Sequence, residues 1–140
     1  MGAQISSVMT PNPVCVPQDA SVSATAAIMR DNDIGSVIIM NDGRVSGIVT
    51  DRDLVVRGLA EGFNPQEAPV GAVASPSAIC LAPDSSTADA VRQMRESSVR
   101  RLPVCDSAGH PVGIVSLGDL AEELDPESAL ADISAATPNI

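Results

Sequence analysis

Aromatic side chains are almost missing from this chain: its 140 residues include Phe63 and neither tryptophan nor tyrosine. Readers of nucleic-acid bases depend on aromatic platforms for stacking, so that class is excluded. Lysine is absent too. All eight basic residues are arginines, and with 18 carboxylates the formal net charge is −10. That balance argues against a general affinity for phosphate backbones or anionic membranes. No apolar run approaches the roughly 20 residues that cross a bilayer. The opening MGAQISSVMTPNP has neither the basic nor the apolar region of a secretory signal. Gly2 and Ser6 fit a myristoylation pattern only superficially, with no basic segment behind them to give a second anchor. Cys15, Cys80 and Cys105 show no CxxC spacing and are accompanied by one histidine, His110, which speaks against a zinc site. The expectation is a cytoplasmic protein with no nucleic-acid or membrane partner.

What is present is aliphatic: 44% of the chain is apolar, almost all of it Ala, Val, Ile, Leu and Met. The length suits one domain or two very small ones, with enough chain to bury a core.

The chain repeats itself. At an offset of 65, Val8 meets Val73, Pro11 meets Pro76, Cys15 meets Cys80, Asp19 meets Asp84, and Met29-Arg30 meets Met94-Arg95. One extra residue within DSAG moves the offset to 66, and Gly47-Ile48-Val49 and Asp53-Leu54 then meet Gly113-Ile114-Val115 and Asp119-Leu120. Each copy carries the same series of local signals. A short apolar run (14–16, 79–81) predicts a strand. Ser21 or Ser86 then caps a helix whose buried stripe is Val22, Ala26 and Met29, or Ala90, Val91 and Met94. Two apolar runs follow in each copy, 36–40 with 45–49 and 101–105 with 112–115, joined by turn residues as β-hairpins. A helix beginning at Thr50 or Ser116 closes each repeat. The expected organisation is a first repeat with its N-terminal segment over 1–60, a linker over 61–72, a second repeat over 73–124 and a tail over 125–140. In the tail, Asp125 is the expected cap of a short helix with Pro126 at its first position.

A doubled β-α-β-β-α unit, opening with VMTPNPVCV and closing with GIVTDRD and GIVSLGD, resembles the cystathionine-β-synthase-type (CBS) domain pair, or Bateman module. VRRLPV in the second copy adds to the likeness, which covers about residues 5–123. The resemblance implies an α/β (α+β) fold of two repeats about a pseudo-twofold axis, with two clefts between them. It also implies a homodimer, a regulatory role exercised on a protein partner, and an adenosine-type ligand: AMP, ADP, ATP or S-adenosylmethionine. No cofactor is required.

An adenosine phosphate needs a carboxylate for its ribose diol, an apolar slot for its base, and donors for its phosphate. Asp53 and Asp119 are the matching carboxylates. By resemblance, the base slots come from the strand start of the same repeat, Thr10 to Val14 for Asp53 and Ser75 to Ile79 for Asp119. The helix N-terminus with the Thr50 or Ser116 hydroxyl is the phosphate end. The family pattern further brings residues before the LPV strand of the other repeat to each cleft. For Asp53 these are Arg100 and Arg101, joined by Arg52; for Asp119 they are Gly35 and Ser36, with Gly118 at the helix start and no local arginine. The Asp53 cleft is therefore expected to be the main phosphate site and the Asp119 cleft the weaker one.

Plainer readings stand beside these. Thr50/Asp53 and Ser116/Asp119 each suffice as helix caps, and Arg52, Arg100 and Arg101 each suit pairing with surface carboxylates. The cysteines read as buried thiols, or, for Cys80 and Cys105, as a redox-sensitive pair. No nucleophile–base–orienter set is legible, so no enzyme is expected. The rival to the sensor is a stress-associated interaction scaffold with no bound nucleotide.

Overall fold

Ser21 and Ser86 do cap helices. In a computed structural model of the chain, which describes residues 3–76, 79–125 and 127–136, the Ser21 hydroxyl accepts from the Ala24 N–H at 2.9 Å. The Ser86 hydroxyl accepts from the Asp89 N–H at 3.1 Å. The helices that follow, α2 (Val22–Asn32) and α4 (Thr87–Ser97), end on Asp33 and Ser98, both left-handed with φ near 54° and 55°. Their buried stripe differs from expectation by one position. Thr25 is fully buried while Ala26 is exposed. The Thr25 hydroxyl donates to the Ser21 carbonyl at 2.9 Å, so it enters the core with its polar atom satisfied.

Both hairpins form. In the first, β3 (Ser36–Asn41) and β4 (Arg44–Thr50) flank Asp42 and Gly43, whose φ values of 51° and 76° are what a two-residue hairpin turn of this twist requires. In the second, β6 (Arg101–Cys105) and β7 (Pro111–Ser116) lie side by side in the sheet. Their closing helices differ. The first has a single α-turn, α3 (Asp51–Asp53), that widens into a π-helix over Leu54–Leu59. The second is regular, α5 (Leu117–Leu124). The first strand of the first copy is β2 (Cys15–Pro17), parallel to β3; its counterpart in the second copy is a single parallel bridge, Leu81 to Val104.

The compact units do not follow chain order. One comprises Met1–Asn12, Cys80–Ala108 and Val112–Ile140; the other comprises Pro13–Ile79 and Gly109–Pro111. In the first unit, β1 (Thr10–Pro11) pairs antiparallel with β7, giving a three-stranded sheet ordered β1-β7-β6. A helical turn, α1 (Ile5–Val8), precedes β1, and the Ile5 and Ser6 N–H groups donate to the Ser85 and Pro83 carbonyls at 2.8 and 2.9 Å. The second unit repeats the device with the linker. Val70 and Gly71 donate to Ala20 and Gln18 at 2.7 and 2.9 Å, and β5 (Ser75–Pro76) closes a four-stranded sheet ordered β2-β3-β4-β5. Ile5 and Val70 anchor the two segments at 0% exposure. Within 61–72, Ala68 and Val70 enter the second unit's core, and the N-terminal segment groups with the second repeat. Each repeat leaves one apolar sheet edge open, and the segment preceding the other repeat covers it.

The tail forms a helix, α6 (Ala129–Ala135), that packs against α5. Its cap is Ser128, whose hydroxyl accepts from the Ala131 N–H at 3.0 Å, and not Asp125. Pro126 and Gly2 lie outside the described residues.

Candidate functional site

GIVSLGD and GIVTDRD fold into the same local object, a strand end running into a capping box. In the first unit the Ser116 hydroxyl accepts from the Asp119 N–H at 3.2 Å, and Asp119 Oδ2 accepts from the Ser116 N–H at 2.9 Å. In the second, Thr50 and Asp53 repeat the exchange at 3.1 and 2.9 Å. The capping reading is therefore correct for both. It holds each carboxylate in place through Oδ2.

The surroundings of the two carboxylates differ. Asp53 Oδ1 faces the Arg57 guanidinium at 3.9 Å, and the Asp53 side chain is 15% exposed. Asp51 sits beside it, its carboxylate over Gly35, where an added Cβ would lie 3.4 Å from Asp51 Oδ2. Arg52 is exposed, donates its backbone N–H to Asp51 Oδ1 at 2.9 Å, and forms no ion pair among the described residues. Asp119 Oδ1 has no ionic partner among the described residues.

Ser116 and Asp119 line a cavity of about 420 Å³ together with Arg100, Arg101, Leu117, Gly118, Glu122, Leu130 and Ser134. Arg100 and Arg101 thus share a cavity with Ser116 and Asp119 within the first unit. The reason is a backbone bond: the Leu117 N–H donates to the Arg100 carbonyl at 2.8 Å, which ties the start of β6 to the start of α5 in the same repeat. Among the described residues Arg100 and Arg101 form no ion pair with a carboxylate.

Of the strand starts, Thr10 pairs with Ile114, two residues before Ser116. Ser75 pairs with Ile48, two residues before Thr50. Val14 packs on the second unit's core and accepts from the Ile38 N–H at 3.0 Å. Ile79 is half-buried and outside any strand. Glu122, Leu130 and Ser134 were not legible as lining residues; the only sequence signal was the helical tail that carries two of them. Of the cysteines, Cys105 is buried as expected, while Cys15 and Cys80 are exposed. Among the described residues no group of three or more His, Cys, Asp or Glu side chains is placed to hold a metal ion, and no helix is long and apolar enough to cross a membrane.

A CBS-domain family model matches the chain twice, over residues 5–58 and 70–126. Hypoxic response protein 1 of Mycobacterium tuberculosis is 38% identical over 124 residues, covering 88% of this chain and 85% of that protein. Two solved structures are similar. The crystal structure of Hypoxic Response Protein I with two coordinated zinc ions aligns with a TM-score of 0.76 and 34% identity, over 86% of this chain and 98% of that one. The structure of CBSX2 in complex with AMP aligns with a TM-score of 0.70 and 25% identity, over 86% and 95%.

Proposed function

The chain belongs to the CBS-domain family, and on that premise we propose that it is a regulatory module sensing an adenosine phosphate in the cleft around Asp119. The observation that carries this is the lining of one cavity by two arginines without carboxylate partners, the Ser116 hydroxyl and the fixed carboxylate of Asp119. Its volume of about 420 Å³ suits a small-molecule site. In this reading Asp119 Oδ1 accepts from the ribose diol. Arg100 and Arg101 hold the phosphate through planar, charge-assisted hydrogen bonds. The segment at Thr10 borders the base. The likeness to a protein solved with AMP supports the ligand class. Asp53, already facing Arg57, marks the weaker cleft, suited at most to a less charged compound such as S-adenosylmethionine. The module acts as a homodimer on a protein partner, and no catalytic step is proposed.

Calorimetric titration with AMP, ADP, ATP and S-adenosylmethionine tests this. Binding of an adenosine phosphate that is lost in Asp119→Ala and kept in Asp53→Ala is expected. No response to any of the four contradicts the sensor reading and favours the interaction scaffold, for which exposed Leu124 and Ile133 are the available surface.

A further inference from the structure

The wall of the Asp119 cavity that the repeat does not supply is the C-terminal helix α6. Leu130 and Ser134, one turn apart on α6, both line the cavity. Between them Ala131 is buried at 1% exposure, and on the other side Ile133 is 73% exposed. The seat of this helix is Gly118. A Cβ added there would lie 2.6 Å from Ser134 Oγ and 3.0 Å from Ser134 Cβ, so α6 reaches this depth only because residue 118 has no side chain. With α6 in place the cavity still measures about 420 Å³, so the helix lines the space without filling it. Ser134 is itself exposed, and its hydroxyl is in no hydrogen bond or ion pair among the described residues.

We infer that Ser134 and Leu130 are ligand-contacting residues and that α6 is the element whose docking reports occupancy of the cleft. This rests on the proposed nucleotide reading of the same cleft. Ser134 Oγ donates to the ligand's phosphate, and Leu130 supplies an apolar edge. A ligand held partly by α6 and partly by β6 and α5 binds the docked arrangement in preference to the undocked one. By linkage, binding shifts α6 toward the docked state. After the first repeat's closing helix the chain instead returns to the second unit's own core at Ala68 and Val70. The device is therefore specific to one cleft, which gives the two-repeat module a single readout face, marked by Ile133.

The test uses AMP as probe and the full chain. Calorimetry is run on the wild type, Asp119→Ala, Ser134→Ala and Ser134→Thr, and amide hydrogen exchange of residues 129–135 is followed with and without saturating AMP. The expected result is slower exchange of α6 on AMP addition and roughly tenfold weaker binding in Ser134→Ala, as for loss of one charge-assisted hydrogen bond. Affinity should be restored in Ser134→Thr. If AMP binds in an Asp119-dependent way while α6 exchange and Ser134→Ala affinity are unchanged, the role of α6 is overturned and the nucleotide reading stands. If the wild type does not bind AMP and α6 exchange is unaltered, both fall.

Discussion

The Leu117 N–H donates to the Arg100 carbonyl at 2.8 Å, and its counterpart in the other repeat is Asp51 donating to the Gly35 carbonyl at 3.0 Å. One bond, conserved in geometry between the two repeats, thus carries two different chemistries. In one copy it sets adjacent arginines at the start of a capped helix. In the other it sets a glycine under an aspartate. The asymmetry between the clefts follows from side chains at a backbone junction that is otherwise the same.

Ser116 has two tasks in this account, and the structural one is measurable alone. Ser116→Ala removes the hydroxyl that accepts from Asp119 N–H. It should destabilise the fold by about 1 kcal/mol, lowering Tm by about 4 °C for a chain of this size. Thermal unfolding followed by circular dichroism checks the value; an unchanged Tm contradicts the cap.

Gly113 is where the N-terminal segment crosses β7. A Cβ there would run into the Met9 side chain and lie 3.0 Å from the Thr10 carbonyl oxygen. Gly113→Ala should cost about 1–3 kcal/mol by overpacking, read as a lower midpoint in urea unfolding. An unshifted midpoint would mean that β1 does not dock on β7.

These two positions mark how much the sequence carries. Repeat register, both Ser caps, the hairpin turns and the paired capping boxes were legible because each is a local signal a few residues long. The sheet partners of Thr10 and Ser75 were not, because pairing with Ile114 or Ile48 depends on which apolar edge is left open by the rest of the fold. The cavity shared by Arg100, Arg101 and Asp119 was not legible for a related reason: alignment of equivalent positions says nothing of which side chains line one space. Thr25 replaced Ala26 in the core because a satisfied hydroxyl is as acceptable there as a methyl group. The tail helix was foreseen, but its cap moved from Asp125 to Ser128, since both residue types cap equally well.

Cys15 is exposed as a residue, yet its sulfur is tucked over the Pro13 carbonyl at 3.5 Å, and partial burial raises its pKa above the ordinary 9.0. The neutral thiol is the form the fold favours. Its contribution is intact below the unfolded-state value and is lost as pH rises through the folded-state value. Alkylation of Cys15 in a Cys80→Ser, Cys105→Ser background should therefore inflect above pH 9.0. An inflection below that pH contradicts the burial.

Val55 and Leu59, one turn apart after the first capping box, are 56% and 66% exposed. The proposed homodimer covers such apolar surface, so sedimentation velocity should show a dimer and Leu59→Glu should shift it to monomer. A wild type that is monomeric at all concentrations contradicts this.

The central claim is that Arg100 and Arg101 hold a phosphate in the Asp119 cleft. Comparing AMP with adenosine by calorimetry isolates that phosphate. The wild type should prefer AMP by roughly a hundredfold, as for two charge-assisted contacts. The double variant Arg100→Ala, Arg101→Ala should lose nearly all of that preference, and Arg52→Ala should keep it. A preference that survives the double substitution, or that disappears in Arg52→Ala, would contradict the account.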